Sequence, residues 1–391
     1  MTVSVRTSGL APEPGEVLAR AALTRLAEPG DRALGRLVAA LGAEEVLGQV
    51  RQGTLPSERL AQYRSRLGGP DAEADLAAAA RVGARLIVPG SAQWPPQLDD
   101  LGDELPLALW VCGAGDLSVL ARRAVAVVGA RACTAYGEHV AAGLGAGLAE
   151  RGWTVVSGAA YGIDAAAHRG ALGVDGRTVA VLACGVDIAY PSAHGGLLAA
   201  VRETGLVVSE LPPGARPTKP RFLARNRVIA ALARGTVVVE AASRSGARST
   251  ANHAGDLGRA VMAVPGPVTS AMSAGCHEMV RVQNASLVTD TADVLDIVGE
   301  LGADESPPRR GEERPHDGLD ELHLRVLEAL PARRAAGPAS VARVAGLDLP
   351  TVLRCLGVLS SRGLAEQAAG EWRRMRHPAV ARTAGAPAAP G

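Results

Sequence analysis

The sequence is poor in lysine and in aromatic residues. Its 391 residues include a single lysine, Lys219, and a single phenylalanine, Phe222, and aromatic residues make up only 2%. A hydrophobic content of 47% still supplies a sizeable core, which must be built from Val, Leu, Ile and Ala. The 41 basic residues nearly cancel the 40 acidic ones and leave a formal charge of +1. A site for a polyanion would therefore have to be a local patch.

Cysteine is also scarce, and no two of the five cysteines have the spacing of a metal site or a redox pair. We expect reduced thiols in a cytosolic protein, with no disulfide framework and no metal site. The first residues lack the basic and apolar segments of a signal peptide. No uncharged apolar run approaches the roughly 20 residues that span a bilayer. The sequence thus predicts a cytoplasmic protein with no membrane partner.

The length suggests two or three domains. Changes in composition and periodicity along the chain predict their limits. We predict an N-terminal module over residues 1–113, an α/β domain over 114–301, a linker over 302–318, a third domain over 319–378 and a disordered tail over 379–391.

Residues 16–81 have a helical pattern. Apolar residues recur at helical spacing from Leu34 to Leu41, Gly42 follows as a helix end, and Glu44–Val50 forms a second short helix. This arrangement resembles a helix-hairpin-helix or SAM-like module, and the former can hold DNA phosphates through backbone N–H groups. A small helical packing module is the favoured interpretation, because no cluster of lysine or arginine surrounds the turn.

The middle of the chain alternates short apolar runs with helical stretches. Runs without alternation of polar residues are typical of strands buried on both faces, and the intervening helices indicate parallel crossovers. This pattern predicts an α/β fold, a Rossmann-like, doubly wound and mostly parallel sheet. The predicted strands are Ala124–Val128, Thr154–Val156, Thr178–Leu182, Leu206–Val208, Thr236–Val239, Val261–Val264 and Ser286–Val288.

The C-terminal part has the outline of a winged helix. Helices are predicted over Leu319–Leu330, Ala339–Ala345 and Pro350–Arg362, followed by a hairpin over Leu364–Met375. The third helix offers only two arginines, which is few for binding DNA phosphates.

In an open α/β sheet, ligands bind outside the carboxyl ends of the strands. Small residues dominate the turns that follow the predicted strands. They let backbone amides approach a ligand closely, and the helix N-termini that follow favour a phosphate. The candidate binding residues at these turns are Gly129, Arg131, Ser157, Gly158, Ser209, Ser245 and Gly246.

Motifs of nucleotide enzymes and hydrolases are missing. There is no G-x-G-x-x-G dinucleotide fingerprint, no phosphate-binding P-loop, no P-G-G-x-G-T-x-x-E signature of phosphoribohydrolases and no G-x-S-x-G elbow. Asp164 and His168 are spaced so that they share a helix face and could form an acid–base pair. A structural role is favoured, because a negatively charged Asp near a helix N-terminus stabilises the helix by interacting with its dipole. We therefore expect neither a cofactor nor catalysis.

The segment 211–239 carries an unusual concentration of positive charge. It contains no acidic residue and six basic ones: Arg216, Lys219, Arg221, Arg225, Arg227 and Arg234. It leaves the fourth strand and enters a helix predicted over Leu223–Ala233, beside the glycine-rich edge. Cations around an aromatic ring bind single-stranded nucleic acid, because phosphates pair with the charges and a base stacks on the ring. In the alternative, Phe222 belongs to the core and the arginines form a solvated helix face, but Arg225 and Arg227 are two residues apart and cannot share one face.

The quoted turns and the basic segment together resemble the DNA-processing protein A family (DprA/Smf). The matching stretches are Val127–Arg131, Ser157–His168, Ala180–Gly185 with Tyr190-Pro191, Ser209-Glu210, Phe222–Ala230, Val238–Ala241, Ser245-Gly246 and Ala263–Gly266. The resemblance implies a recombination mediator, not an enzyme, that protects single-stranded DNA and loads the RecA recombinase, in natural transformation or general recombination. It also implies a homodimer through the Rossmann-like domain.

The resemblance further implies a DNA site at the first glycine turn and the segment from Phe222 to Arg227, which adds Asn226 to the candidates. Two positions depart from the family pattern, Arg248 in the turn after the fifth strand and His277 after the late glycine. The alternative function is a phosphoribohydrolase-like nucleotide-processing enzyme on the same fold.

Overall fold

A computed structural model describes residues 12–55, 62–68, 71–243, 245–300, 302, 304 and 318–375. The chain divides into two compact units, Met1–Ser306 and Pro307–Gly391. Most of the predicted linker and the whole predicted tail, residues 379–391, lie outside the described residues.

The N-terminal module is helical, as predicted. Asp31 begins its second helix by accepting the backbone N–H groups of Ala33 and Leu34. Gly42 ends that helix and precedes the next at a φ of 83°, a left-handed value that favours glycine. The helices are α1 Pro14–Leu26, α2 Arg32–Leu41, α3 Ala43–Gln52 and α4 Ala72–Arg81, with a short 3₁₀ helix at Gln62–Arg66.

The boundary predicted between residues 113 and 114 is wrong, because it cuts through one sheet. Strands β1 Ala84–Ile87 and β2 Leu109–Cys112 pair antiparallel with each other, and β2 pairs antiparallel with β6 Leu206–Ser209. A 3₁₀ segment, Pro96–Glu104, connects the two. Each strand has four residues and no crossover helix, so the α/β pattern did not reveal them.

The rest of the sheet is parallel and confirms the predicted fold class. The further strands are β3 Ala124–Val128, β4 Thr154–Ser157, β5 Thr178–Leu182, β7 Gly235–Val238, β8 Ala260–Ala263 and β9 Ser286–Leu287. The order in the sheet is β1-β2-β6-β5-β4-β3-β7-β8-β9, and all pairs from β6 onward are parallel. The central strands are buried on both faces, so their apolar runs need no polar alternation.

Helices cover both faces of this sheet. Val125 and Val127 face one layer of helices, whereas Ala126 and Val128 face the other. The helices, in chain order, are α5 Leu117–Arg122, α6 Ala135–Glu150, α7 Ile163–Leu172, α8 Gly195–Thr204, α9 Lys219–Leu232, α10 Ala247–Asp256, α11 Ala274–Val282 and α12 Thr291–Val298. Side chains of α5, α9, α10 and α11 pack on one face, and those of α6, α7 and α12 on the other.

The C-terminal unit is a winged helix, as predicted. Its helices are α13 Glu321–Ala329, α14 Pro338–Ala345 and α15 Leu349–Ser361, and its hairpin is β10 Ala365–Ala368 with β11 Glu371–Arg374. The first helix starts two residues later than predicted, because Asp320 caps it by accepting the N–H of His323.

Among the described residues, no single helix is long and apolar enough to cross a membrane; α14 and α15, which meet at 104°, pass that test only as a bent pair. All five cysteines are free. The part of the chain that the structure describes contains no group of three or more His, Cys, Asp or Glu arranged for a metal ion.

Candidate functional site

An open cavity of about 320 Å³ lies at the carboxyl edge of the sheet, between β3, the turns after β4 and β7, and helix α9. The edge position is the one that the strand pattern predicts for a ligand site. The predicted residues that line it are Gly129, Arg131, Phe222, Arg225, Asn226, Ser245 and Gly246.

Helix α9 brings the aromatic ring into this cavity. The helix begins at Lys219, four residues earlier than predicted, with Pro220 in its first turn, where a missing N–H costs nothing. Lys219 is therefore the first helical residue and does not lie in a loop. Phe222 and Arg225 are three residues apart and share the face toward the cavity.

Phe222 is half-buried between a cation and a second ring. The guanidinium carbon of Arg131 lies 4.8 Å from the centre of the Phe222 ring. On another side, the ring centres of Phe222 and Tyr190 are 5.5 Å apart, with a tilt of 47° between the rings. Arg131 itself is exposed. The arrangement presents an open cation beside an aromatic face, which suits a nucleotide.

Arg225 forms the floor of the cavity. Its guanidinium is buried and donates from Nη1 to the carbonyls of Gly158, at 2.9 Å, and Val181. Burial lowers the pKa of Arg225 to about 10, which leaves it charged at neutral pH, and Asp164 opposes the shift. A Cβ atom at position 158 would lie 2.2 Å from that Nη1. Only glycine at position 158 leaves room for the guanidinium of Arg225.

The Asp164 carboxylate accepts hydrogen bonds from backbone amides of the turn after β4, the second glycine turn. Its Oδ2 accepts the N–H of Gly158 at 3.1 Å and that of Ala160 at 3.5 Å. Burial raises the pKa of this carboxyl, while Arg225 and these amides act in the opposite direction.

Glu240 has the same relation to the first glycine turn. Its Oε2 accepts the N–H of Thr134 at 2.9 Å, its Oε1 accepts the Thr134 hydroxyl at 2.7 Å, and its backbone oxygen accepts the N–H of Ala130. A buried carboxylate therefore already lies at the N-terminus of α6. The N–H groups of Thr134, Gly158 and Ala160 are therefore not free for a phosphate, because carboxylates of the protein itself accept them, and the N–H of Ala130 is bound to a backbone oxygen.

Five of the predicted site residues do not line this cavity: Ser157, Gly158, Ser209, Lys219 and Arg227. The Ser157 hydroxyl is buried and donates to Val127 O, and the buried Ser209 hydroxyl accepts the N–H of Leu211. Arg227 is 1% exposed and forms a bidentate ion pair with Glu210. Sequence spacing placed Arg227 on a different helix face from Arg225, but it did not reveal that this face lies in the core.

The positive charge of segment 211–239 is partly neutralised. Arg221 pairs with Glu28 through two bonds of 2.8 and 2.9 Å, and this hydrogen bonding lowers the pKa of Glu28. Arg234 pairs with Glu300 at 2.7 Å. Lys219 is exposed, and no acidic partner lies near it within the described ranges. Two exposed cations remain: Arg131, which lines the cavity, and Lys219, which begins the helix that carries Phe222 and Arg225.

The two departures from the family pattern leave the cavity little changed in charge. Arg248 pairs with Glu278 at 2.7 Å and also donates to Ser243 O. His277 contacts Gly266 O through Nε2 at 3.0 Å. Neither side chain lines the cavity.

The structure places His168, the possible acid–base partner of Asp164, in the core. Its Nδ1 is 2.6 Å from the Thr178 hydroxyl, which itself donates to Val155 O. The ring is fully buried, and burial lowers its pKa to about 3. It does not line the cavity with Asp164.

Sequence reasoning missed Tyr190 and Glu240 as parts of the site. Glu240 lies two residues after β7, and Tyr190 lies eight residues after β5, so both follow strands at the carboxyl edge of the sheet. Tyr190 is one of only nine aromatic residues. The scarcity of exposed aromatic rings was the available signal for Tyr190. Nothing local distinguishes Glu240.

Both units of the chain match known protein families. The family model of DNA recombination-mediator protein A matches residues 85–299, and the IclR helix-turn-helix domain matches residues 323–369. The chain is 48% identical over 368 residues to a putative DNA processing protein DprA of Mycobacterium tuberculosis H37Rv, covering 90% of this chain and 93% of that protein. It is 42% identical over 212 residues to protein Smf of Escherichia coli K12, covering 54% and 56%. The X-ray structure of DprA from Streptococcus pneumoniae superimposes with a TM-score of 0.61 at 31% identity, over 73% of this chain and 98% of that one.

Proposed function

This chain belongs to the DNA recombination-mediator protein A family (DprA/Smf), a family of DNA-processing proteins, and we propose that it binds single-stranded DNA in the cavity between Arg131 and Arg225. The observation that carries this proposal is the packing of Arg131 against Phe222 at the mouth of that cavity. A ring that is half-buried, and flanked by an exposed guanidinium, offers one nucleotide both a stacking face and a phosphate ligand.

The distribution of charge supports a single strand. Arg131 and Arg225 line the cavity from two different elements, and Lys219 begins the helix that carries Arg225, whereas Arg221, Arg234 and Arg248 are paired with carboxylates. Few free cations mean few phosphate contacts, so affinity must depend strongly on stacking, and only an unpaired base can stack on a side chain in this way.

The proposal extends to the role of the bound strand. The protein acts as a recombination mediator that protects incoming single-stranded DNA and helps to load RecA, in natural transformation or general recombination. It works in the cytoplasm as a homodimer through the Rossmann-like domain, as a binder and not as an enzyme. It needs no metal or cofactor, because arginine side chains and an aromatic ring supply the contacts.

Fluorescence anisotropy with the full chain tests the proposal. A labelled oligothymidylate should bind more tightly than a duplex of the same length, and a chelator should leave the affinity unchanged. Equal affinity for the duplex, or loss of binding with the chelator, would contradict it. Turnover of ATP or a nucleoside monophosphate that disappears in Asp164→Ala would favour the nucleotide-processing alternative.

A further inference from the structure

The exposed aromatic rings of this protein are concentrated at one edge of the sheet. The chain has nine aromatic residues, and all nine lie within the described ranges. Five are at most 8% exposed: Tyr63, Trp94, Trp110, Trp153 and Trp372. The other four are Tyr136, Tyr161, Tyr190 and Phe222, and each follows a strand at its carboxyl end.

Three of these rings follow three neighbouring strands. Tyr161 comes after β4, Tyr190 after β5 and Phe222 after β6, and β6, β5 and β4 are adjacent in the sheet. The rings come four, eight and thirteen residues after these strands end, so all three lie in segments that leave the carboxyl edge of neighbouring strands, which are about 4.8 Å apart.

Tyr190 is connected to the cavity by a ring contact, and Tyr161 by its neighbour in the chain. Tyr190 packs against Phe222 at 5.5 Å between ring centres, yet 42% of Tyr190 is exposed. Tyr161 follows Ala160, which lines the cavity, and 49% of its surface is exposed. The ring of Tyr161 makes an edge contact of 4.8 Å with His194, whose Nδ1 is 3.0 Å from Ala159 O. Both tyrosines are thus held on one side and open on the other.

Exposing large rings in this way is costly for a protein that buries five of its nine aromatic residues almost completely. We propose that Tyr190 and Tyr161 continue the stacking surface of Phe222 beyond the cavity, so that successive bases of one strand stack on successive rings. The proposal rests on the proposed function and adds to it a site for several nucleotides. The ligand is a base, because every base has a π-face and stacking tolerates any sequence.

Substitution of each tyrosine separates this proposal from the proposed function. Tyr161→Ala and Tyr190→Ala should each weaken binding of a long oligothymidylate by about 5- to 100-fold, with the salt dependence nearly unchanged. Tyr190→Phe keeps the ring and should bind like the unaltered protein. On an oligonucleotide of abasic sites, the alanine variants and the unaltered protein should bind equally, because no base is present to stack.

Tyr136→Ala is the matched control. Tyr136 is 41% exposed at the same edge, but its hydroxyl donates to Pro265 O and no other ring contacts it among the residues that the structure describes. This variant should bind almost normally. A urea unfolding curve for each variant checks that the fold is retained.

Binding by the unaltered protein together with unchanged affinity in Tyr161→Ala and Tyr190→Ala would overturn the inference and leave the proposed function standing. An equal loss in Tyr136→Ala, or the same loss on the abasic strand, would also overturn it. Failure of the unaltered protein to bind any single strand would instead refute the proposed function.

Discussion

Arg227 and Glu210 form a bidentate ion pair of 2.6 and 2.7 Å in which both side chains are less than one-tenth exposed. The arginine belongs to the same basic segment as Arg225 but stabilises the fold from inside. Gly30 of the N-terminal module packs against its guanidinium. The pair therefore joins α9, the end of β6 and the N-terminal helices.

Arg227→Ala should lower the free energy of unfolding by about 3–5 kcal/mol, because it leaves the Glu210 carboxylate buried without its partner. Urea denaturation measures this loss. The double variant Arg227→Met, Glu210→Met should lose much less, since it removes both charges together. If Arg227→Ala kept its stability and lost DNA affinity instead, the result would show that Arg227 belongs to the DNA-binding surface.

Arg131→Ala and Lys219→Ala should reduce the salt dependence of DNA binding. Each exposed cation that contacts a phosphate contributes about 0.7 to the slope of log K against log salt on a single strand. We expect each variant to lose about that much, with little effect on unfolding. Titrations at several salt concentrations measure the slope, and Arg248→Ala, which removes an arginine paired with Glu278, serves as the control. Slopes equal to that of the unaltered protein would place the phosphates elsewhere.

Phe222→Ala should weaken binding of single-stranded DNA by roughly 5- to 100-fold and leave the salt slope nearly unchanged, because stacking involves no charge. The ring also packs against Arg131 and Tyr190, so unfolding must be measured in parallel. Normal binding combined with a loss of several kcal/mol of stability would show that the ring belongs to the core.

The buried His168 should make the folded state sensitive to mild acid. Burial lowers the pKa of His168 to about 3, whereas the unfolded chain titrates near about 6.5. Between these values the unfolded state binds the extra proton, so stability is complete above about pH 6.5 and falls as the pH decreases.

We expect His168 to contribute a loss of about 2 kcal/mol between about pH 7 and pH 5. The comparison is urea unfolding of the unaltered protein and of His168→Gln, which keeps a group able to bond with Thr178. The difference between them should shrink by that amount at the lower pH. A difference independent of pH would mean that the ring is already charged in the fold or accessible to water.

The sequence was most informative where apolar runs are continuous. The predicted strands Ala124–Val128 and Thr178–Leu182 have the observed ends, because both lie in the middle of a sheet buried on two sides. Strands β1 and β2 were missed, since four residues without a crossover helix leave no periodic signal.

The cavity was predicted in position but only partly in composition. The basic segment correctly brought Phe222 and Arg225 to the glycine-rich edge. The pairing of Arg227 with Glu210 could not be predicted from the sequence, because the two residues are 17 positions apart and meet only through the way that α9 packs over the end of β6. In the same way, Asp164 and Glu240 occupy amides that looked free, and the contact of Glu240 with Thr134 spans 106 residues.

The antiparallel pairing of β2 with β6 has a consequence for shortened forms of this protein. A chain that began at residue 114 would keep every parallel strand, yet the side of β6 that pairs with β2, at Val207 and Val208, would have no partner strand. Both residues are fully buried in the intact protein. Such a bare, apolar edge recruits another copy of itself, so the shortened protein should aggregate. The N-terminal strands β1 and β2 thus protect the edge of the sheet at β6 from pairing with another copy of the protein.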